Sequence, residues 1–460
     1  MLIQVRDTNL FDQKVDCFIY MVAASEKEFA LPQELVDFAA RECPQLQAAI
    51  TTYEFTGAAS TSVPVHFVRD RKSVTLLVVG LGVIKKGLDG SEIEPYRRAL
   101  GSALRTCMSY KHKSVALALP THLLSYTRQG YLAEQTAVIA RMTEYHFDQF
   151  MTDKKNKQKG LGELMICVTP QEVPVTQSGV DAGEIIATAV NTTRHWIDMP
   201  PSQLTPPQLA DKALSIAKKN GIKITTYNEK EIIAMGMGGL AGVSVGSDID
   251  CAFVILEYTT SKPGAPTLGF VGKGITFDSG GLSIKPAKSM ETMKSDMSGA
   301  AAVINAMEAI AQLKLEVNII AVTPLSENLP SGKATKPGDV LRFYNGKTAE
   351  VRNTDAEGRL ILADALSYIT EHYKLDVLVD LATLTGACAY ALGPFFSGLM
   401  SQHEDLVKHL ETAAYKSGDR VWRLPFDNDY EKAVASSMAD LCNIGDPKYC
   451  AYEYNISRLI

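Results

Sequence analysis

The stretch Asn353-Thr-Asp-Ala-Glu-Gly-Arg-Leu360 carries charged side chains at three alternate positions, Asp355, Glu357 and Arg359. In an extended segment these side chains would share one face, because side chains on a strand repeat every second residue. Two carboxylates on one face are costly to bury for packing reasons alone. We therefore expect a cation between the carboxylates and an anion beside the arginine.

A second polar stretch lies upstream of this one. It follows the apolar run Thr267 to Val271, which is typical of a buried strand, and Ser279-Gly-Gly281 then indicates a tight turn. Lys273 and Asp278 lie next to this strand end, where α/β proteins usually place their chemistry. Asp296 follows, just before a run of small residues that leads into a helical pattern. All three residues are candidates for the same site.

Together, the two stretches contribute four carboxylates and one lysine, without histidine or cysteine. The candidate metal ligands are Lys273, Asp278, Asp296, Asp355 and Glu357. Oxygen-rich sites suit Mg, Mn, Ca or Zn, and four carboxylates balance the charge of two divalent ions. Lysine binds a metal only as a neutral amine, so a cation must lower the pKa of Lys273 from its usual value of about 10.4. Lys285 is expected to stay charged and to polarise a carbonyl or stabilise an oxyanion.

The chain resembles the leucyl aminopeptidases, cytosolic two-metal enzymes that remove N-terminal residues from peptides. Asn353 to Leu360 matches the signature octapeptide of that family, and other stretches match in the expected order. They are Arg194 to Pro206, Lys273 to Asp296, Ser326 to Gly332, Lys336 to Val340 and Ala382 to Ala387. Several ordered motifs are a far more specific signal than one motif alone.

This resemblance implies roles for the site residues. The five candidate ligands would hold two divalent ions per subunit, Zn or Mn, with Asp278 and Glu357 bridging both ions. Lys285 would contact the scissile carbonyl, and Arg359 would hold a bicarbonate-like anion that acts as a general base on the bridging water. The pocket for the first side chain of the peptide would include Met293, Thr383, Leu384 and Gly386.

The implied activity is hydrolysis of the N-terminal peptide bond by a water that two metals activate. Leucine or another neutral or hydrophobic first residue would be preferred, and the assembly would be a homohexamer. Two alternatives stay open at this stage. One is a catalytically impaired homologue that acts as an oligomeric interaction or nucleic-acid-binding protein. The other is a two-metal phosphoesterase, which also uses carboxylates but in which a lysine ligand would be unusual.

The order of predicted elements indicates an α/β fold with two domains, each a mixed or mostly parallel sheet flanked by helices. Strand-like runs such as Cys17 to Val22 and Ala252 to Glu257 alternate with helical patterns in both halves of the chain. We place an N-terminal regulatory or oligomerisation domain at residues 1–170. A linker and the start of an interdomain helix follow at 171–185, with Gln171 to Gly179 as the connection and a helix from Asp181. The catalytic domain with the two-metal site occupies 186–460.

Length and composition agree with this interpretation. A chain of 460 residues is expected to form two or three domains, and 46% hydrophobic and 21% charged residues are an ordinary globular balance. The net charge of -6 argues against bulk attraction to nucleic acid or to an acidic membrane surface. The longest apolar tract, Val377 to Met400, is interrupted by Asp380 and Pro394, which favours a strand and a short helix over a membrane span.

The N-terminal residues and the cysteines indicate the cellular compartment. The chain reaches charges at Arg6 and Asp7 without a signal-peptide pattern, and its eight cysteines are scattered. Scattered thiols are typical of a reducing compartment, so we expect a cytoplasmic protein.

The resemblance ends at Tyr449. Cys450 to Ile460 stands where family members continue into a Gly/Ala-rich helix, and we therefore expect a catalytic domain that is shortened at its C-terminus.

Overall fold

The computed structural model describes residues 1–24, 29–84, 91–153 and 160–446. The chain divides into two compact units by its internal contacts. The N-terminal unit comprises Met1–Asn191 and Lys408–Arg420, and the C-terminal unit comprises Thr192–Val407 with the described residues from Val421 onward. The segment after Tyr449, where we expect a shortened domain, lies outside the described residues.

The N-terminal unit contains a sheet that is parallel except at one edge. Its strands are β1 Leu2–Arg6, β2 Cys17–Ala23, β3 Ser62–Arg69, β4 Lys72–Gly82, β5 Ser114–Ala118 and β6 Glu163–Cys167. Within the described residues they are ordered β1-β6-β5-β2-β4-β3, and β3 pairs antiparallel with β4. The inner strands β2 and β4 are buried along most of their length, as is usual where both faces of a parallel sheet are covered.

Helices cover both faces of this sheet. They are α1 Gln33–Glu42, α2 Leu46–Thr52, α3 Glu94–Ser109 and α4 Gln129–Glu144. Phe38 of α1 and Leu46 of α2 pack on one face with Phe18, whereas Tyr96 of α3 and Leu132 of α4 pack on the other. Each helix buries its apolar side against the sheet, and the fold of this unit follows from that burial.

One long helix, α5 Val173–Asp198, joins the two sequence regions. It follows a capping box in which Thr169 and Glu172 bond reciprocally at the start of a short 3-10 turn. The helix starts at Val173 and not at Asp181, so most of the expected connection is helical. Its Pro and Gln residues were interpreted as a linker, but proline is readily accepted in the first turn of a helix. The division between the two units falls inside α5, after Asn191.

The C-terminal unit contains a mixed sheet. Its main strands are β7 Lys223–Asn228, β8 Ala252–Tyr258, β9 Thr267–Gly272, β10 Gly274–Asp278, β11 Asn318–Asn328 and, after the short strands β12 Val340–Arg342 and β13 Thr348–Glu350, β14 Val377–Leu381. The order among the described residues is β14-β9-β11-β8-β7, with β10 also paired to β11. Strands β9, β10, β11 and β14 run parallel, whereas β7 and β8 run antiparallel to their neighbours.

Helices alternate with these strands along the chain. They are α6 Pro206–Asn220, α7 Glu229–Ala234, α8 Gly238–Ser244, α9 Ala287–Met290, α10 Ser298–Leu313, α11 Gly358–His372 and α12 Gly386–Leu392. The remaining strands are β15 Ser397–Leu399, β16 Val421–Arg423 and β17 Leu441–Cys442. Helix α13 Glu404–Ser417 begins in this unit, but its residues from Lys408 onward belong to the N-terminal unit. The predicted α/β class, with sheets flanked by helices, is confirmed. Across the described ranges, no helix is both long and apolar enough to cross a membrane.

Candidate metal centre

The candidate residues converge at the carboxyl ends of the parallel strands in the C-terminal unit. Lys273 lies between β9 and β10, and Asp278 is the last residue of β10. Asp278 is in register with Asn328, the last residue of β11. Thr383 follows the end of β14, and Leu381 of that strand accepts a backbone hydrogen bond from Lys273 N at 3.0 Å. The parallel sheet therefore brings together residues that are far apart in the sequence.

The stretch from Asn353 to Leu360 has a different conformation from the one we expected. It forms a turn and then enters α11 at Gly358, so Arg359 lies in the first helical turn and not on a strand face. Asp355 N donates to Asn353 Oδ1 at 2.8 Å, a local bond that favours a turn over a strand. The shared face predicted from strand alternation was wrong. The carboxylates of Asp355 and Glu357 nevertheless meet, because the turn folds both toward Asp278.

Lys273 is enclosed by polar groups and is only 2% exposed. Its Nζ lies 2.7 Å from Asp296 Oδ2 and 2.9 Å from Glu357 Oε1, and it donates to the carbonyl oxygen of Thr383 at 2.9 Å. Burial disfavours the charge, but the carboxylates of Asp296 and Glu357 outweigh that effect and raise the pKa of Lys273 above its usual value. Ligation by a neutral amine therefore requires the positive charge of a metal ion to reverse this balance.

Glycine at position 358 leaves room for the end of the Lys273 side chain beside the start of helix α11. A Cβ at Gly358 would lie 2.5 Å from Lys273 Cε and 2.7 Å from Lys273 Nζ. A side chain at position 358 would therefore force the end of the Lys273 side chain away from its present place. The glycine in the octapeptide therefore lets the backbone approach the lysine, and Glu357 is held at the helix start with its carboxylate against Lys273.

Lys285 bridges the other two carboxylates. Its Nζ lies 2.8 Å from Asp278 Oδ2 and also contacts Asp355 Oδ1. Burial opposes the charge of this lysine too, but Asp278 and Asp355 raise the pKa of Lys285. Lys285 therefore lies against two of the predicted ligands, and its catalytic role stays a prediction.

The donor set fits a divalent cation. Asp278, Asp355 and Glu357 each offer a carboxylate oxygen, and these oxygens lie within 4.8 Å of one another. Glu357 Oε2 is buried and has no hydrogen-bond partner among the described residues. Burial raises the pKa of Asp355 to about 6 and also raises the pKa of Asp296 above its usual value, because lysine neighbours only partly compensate for lost hydration. Buried carboxylates gathered at this density favour a bound cation.

The predicted pocket residues have different surroundings. Thr383 joins the cluster directly, since its Oγ1 donates to Asp296 Oδ1 at 2.8 Å. Met293 is half-buried and opens the short 3-10 turn Met293–Ser295 that precedes Asp296. Leu384 packs beside the apolar core of the unit. Gly386 is exposed at the start of α12. The pocket roles of these four residues stay predictions.

Two residues that sequence reasoning missed hold the ligands in place. Asn328 Nδ2 donates to Asp278 Oδ1 at 2.8 Å and to the carbonyl oxygen of Thr354 at 3.0 Å. Thr354 Oγ1 donates to the carbonyl oxygen of Gly280 at 2.6 Å and accepts from Ser283 N at 2.8 Å. Both side chains are buried. The signal for Asn328 was its place in the matched stretch Ser326 to Gly332.

Comparison with known proteins assigns the family. Residues 191–454 match the catalytic domain of the cytosol aminopeptidase family, and residues 23–154 match its N-terminal domain. The chain belongs to the cytosol aminopeptidase family. A probable cytosol aminopeptidase of Chlorobaculum parvum is 40% identical over 403 residues, which cover 85% of this chain and 79% of that protein. The corresponding protein of Methylobacillus flagellatus is 36% identical over 94% of this chain and 86% of its own.

Solved structures of related proteins agree with this assignment. A mutant of tomato leucine aminopeptidase has a TM-score of 0.85 and 28% identity, over 97% of this chain and 86% of its own. The bottromycin maturation enzyme BotP, in complex with Mn, has a TM-score of 0.76 and 29% identity, over 93% of this chain and 85% of its own. This member of the cytosol aminopeptidase family is thus a metallo-aminopeptidase, a hydrolase that acts on peptides with a divalent metal cofactor. The phosphoesterase alternative is set aside.

Proposed function

We propose that this cytosol aminopeptidase removes the first residue of peptides, prefers leucine or another neutral, apolar residue, and uses two divalent ions. The observation that carries the proposal is the meeting of Asp278, Asp355 and Glu357, whose oxygens lie within 4.8 Å of one another. Lys273 and Asp296 adjoin this group through Glu357, so five potential ligands are contiguous. Five ligands exceed the four that a zinc ion usually takes, and the charge of four carboxylates balances two divalent ions.

The five residues would divide between two ions of Zn or Mn. Asp278 and Glu357 would offer oxygens to both, and Asp355, beside Lys285, would offer a third oxygen. Lys273 and Asp296 form the opposite side, where the free α-amine of the peptide would be held. Bound metals act as Lewis acids and lower the pKa of water toward neutrality, which supplies the nucleophile and stabilises the developing oxyanion.

Lys285 has the position for a second contribution to catalysis. Its ammonium group lies against Asp278 and Asp355, and the raised pKa keeps it charged at neutral pH. With Asp278 and Asp355 engaged as ligands, this ammonium would be available to donate a hydrogen bond to the scissile carbonyl oxygen. A preorganised charged donor at that atom stabilises the transition state more than the ground state.

Arg359 is the proposed site of an anion. Its side chain is buried in the first turn of α11, two residues after the ligand Glu357. A guanidinium group binds planar oxyanions such as bicarbonate through two parallel hydrogen bonds. An anion held there would accept the proton that the attacking water gives up. The pocket for the first side chain would be bordered by Met293, Thr383, Leu384 and Gly386.

We also propose a homohexamer in the cytoplasm. The resemblance to leucyl aminopeptidases supports the assembly, and the names of the curated relatives support the compartment. Sedimentation velocity on the purified chain tests the assembly, because a monomer and a hexamer differ sixfold in mass. A catalytically impaired homologue is not favoured, because the ligand cluster is complete.

Hydrolysis of leucine p-nitroanilide by the purified chain tests the activity. We expect turnover that rises with added Mn or Zn, falls with a chelator, and is lost in Asp355→Ala. Asp211→Ala on α6 is the matched control, since its carboxylate is exposed and outside the cluster. A folded, metal-loaded chain that does not cleave the substrate would overturn the proposal. The anilides of valine, phenylalanine and glutamate would rank the preference for the first residue.

A further inference from the structure

Asn443 is a buried asparagine that lies against the turn carrying two of the predicted metal ligands. It follows β17, which pairs in parallel with β13, and its backbone N donates to Glu350 O at 3.0 Å. Because Glu350 ends β13 just before Asn353, this pairing brings a segment from far along the chain to the start of the octapeptide. The exposed fraction of Asn443 is 0%, so each polar atom of its amide needs a partner within the protein.

The side-chain amide of Asn443 bonds to both ends of the turn. Its Oδ1 accepts from Arg352 N at 2.9 Å and from Asn353 N at 3.3 Å. Its Nδ2 donates to Asn353 O at 2.6 Å and to Ala356 O at 3.3 Å. An asparagine amide has two donor and two acceptor positions, so these four bonds use its whole capacity. The amide is therefore fixed to the backbone before and after Asp355.

The two bonds that Nδ2 donates bracket a predicted ligand. Asp355 lies between Asn353 and Ala356, and Glu357 comes directly after Ala356. Asn353 O also accepts from Ala356 N at 3.3 Å, which is the bond that closes the turn. Asn443 thus ties together the first and fourth carbonyl groups of the turn. Rotation of either peptide group would redirect the carboxylate of Asp355 or of Glu357.

The middle of the same turn is held from the side of β11. Asn328 Nδ2 donates to Thr354 O at 3.0 Å, and Thr354 N donates to Ser283 Oγ at 3.1 Å. Asn328 also donates to the predicted ligand Asp278, whereas the four bonds of the Asn443 amide go to backbone atoms. The two asparagines therefore restrain different atoms of one turn. A turn that is held at both ends and in the middle presents its carboxylates to a cation with little reorganisation.

We propose that Asn443 is a positioning residue of the metal centre, which acts through the backbone of the turn. By holding the carbonyl groups of residues 353 and 356, it fixes the directions of the Asp355 and Glu357 carboxylates. This role rests on the proposed two-metal site. Substitution of residues that orient metal ligands usually lowers metal affinity by about 10- to 100-fold. A merely structural asparagine would change the stability of the metal-free chain and leave the metal affinity of the folded molecules unchanged.

Competition with a chromophoric chelator tests the proposal by measuring the Zn affinity of the full-length Asn443→Ala variant. We expect the affinity to fall by about 10- to 100-fold relative to wild type. The visible absorption spectrum of the Co(II)-loaded chain should change as well, because it reports the geometry of the ligands. Asn305→Ala is the matched control, since Asn305 is also buried but its amide donates to Ala301 O within α10. This control should keep the wild-type affinity and spectrum.

Asn443→Asp is a second variant, for the case that Asn443→Ala does not fold. It keeps the shape of the side chain but replaces the NH2 donor with an oxygen, which cannot donate when the carboxyl is ionised. An added negative charge by itself would strengthen the binding of a cation. Zn binding about tenfold weaker than in wild type, which we expect, would therefore follow from the lost donors. Circular dichroism of the chelator-treated chains establishes that each variant is folded.

Two results would overturn the positioning role. One is a wild-type Zn affinity and Co(II) spectrum in a folded Asn443 variant. The other is an equal loss of affinity in Asn305→Ala, since loss of any buried asparagine would then have the same effect. Asp355→Ala separates this role from the proposed site. If that variant loses Zn while the Asn443 variants keep it, only the positioning role fails, whereas wild-type Zn binding in Asp355→Ala would show that the ligand set itself is wrong.

Discussion

The two units place very different side chains at the same position of similar sheets. The carboxyl ends of β9 and β10 carry Lys273 and Asp278, and both side chains are buried. The carboxyl ends of β2 and β4 carry Ala23 and then Val83. Because the architecture is the same kind of open α/β sheet, the fold alone does not assign the chemistry. The residues at the strand ends decide whether that edge of the sheet presents candidate metal ligands or apolar side chains.

The buried charges make activity sensitive to substitution at the strand ends of the C-terminal unit, which carry Lys273 and Asp278. Each lysine at the site pairs with two carboxylates, so removal of a carboxylate leaves the lysine with one partner, and removal of a lysine leaves two carboxylates without that partner. In the N-terminal unit, a cavity at the ends of β2 and β4, bordered by Ala23, Val83 and Tyr126, has no ion pair among its described lining residues. We therefore expect substitutions at the strand ends of the C-terminal unit to lower activity by orders of magnitude more than substitutions beside the cavity of the N-terminal unit.

The largest effect is expected for Glu357→Ala. This change removes a proposed bridging ligand and leaves Lys273 with one fewer carboxylate. Loss of a metal ligand removes several kcal/mol of transition-state stabilisation, so kcat/KM for leucine p-nitroanilide should fall by roughly a thousandfold or more. Metal content by plasma emission spectroscopy should fall in parallel. Asp211→Ala serves as the control, and activity within tenfold of wild type in Glu357→Ala would refute the ligand role.

A smaller effect is expected for Asn328→Ala, which removes the hydrogen bond to Asp278 Oδ1. Residues that orient ligands change metal affinity by about 10- to 100-fold, and we expect a loss in that range. Competition with a fluorescent chelator measures the affinity without recourse to activity. Asn305→Ala is the matched control, because Asn305 is a buried asparagine on α10 that donates to Ala301 O. Equal affinities in the two variants would mean that Asn328 is structural only.

Asp364 is a buried carboxylate outside the candidate metal centre, and its contribution to stability should depend on pH and not on chelators. Asp364 accepts from Leu240 N and Tyr344 N, each at 2.8 Å, and burial raises its pKa to about 7. The folded protein then holds this proton more tightly than the unfolded chain, whose Asp pKa is about 3.9. The contribution of Asp364 to stability is therefore greatest below pH 4 and is lost as the pH rises toward 7.

Thermal unfolding of the chelator-treated chain between pH 4 and pH 7.5 measures this dependence. The slope of the melting temperature against pH should be shallower in Asp364→Asn than in wild type, because the substituted residue does not titrate. Exposed Asp376 supplies a control variant, Asp376→Asn, which should keep the wild-type slope. A steeper or unchanged slope in Asp364→Asn would show that the titrating group is elsewhere.

The smallest effect is expected for Tyr126→Ala in the N-terminal unit. The side chain is partly exposed and lies among apolar neighbours, so its loss leaves no buried charge unpaired. We expect kcat/KM for leucine p-nitroanilide within about twofold of wild type, since surface substitutions usually change stability by less than about 0.5 kcal/mol. A 10- to 100-fold loss of kcat/KM in Tyr126→Ala, which is about the range expected for metal affinity in Asn328→Ala, would contradict the contrast between the strand ends of the two units.

Sequence reasoning predicted the α/β class and most strands of both units, because apolar runs with regular periodicity need only local information. Sequence reasoning was less successful where a hydrogen bond from a side chain to nearby backbone, or the close approach of two segments of the chain, decides the conformation. The segment after Asn353 was expected to be extended, but an asparagine side chain bonds to the backbone two residues later and starts a turn. The helix at Val173 was expected later because proline and glycine in its first turns resemble a linker.

The individual site contacts depended even more on the fold. Asn328 and Asp278 are joined by the register of β10 against β11, and no local pattern reports a register between strands 50 residues apart. Thr383 contacts both Lys273 and Asp296 because β14 ends beside β9. The side chain of Arg359 is buried because α11 begins in the middle of the octapeptide.

The sequence by itself determined the chemical types present at the site: four carboxylates, two lysines and one arginine in ordered motifs. It also determined the family and the α/β class, because motif order and periodicity are properties of the chain. Only the tertiary structure decided that Lys273 lies between Asp296 and Glu357, whereas Lys285 lies between Asp278 and Asp355. The physical reason is that ion pairing depends on distances of a few ångströms between residues on different strands, and packing of the sheet sets those distances.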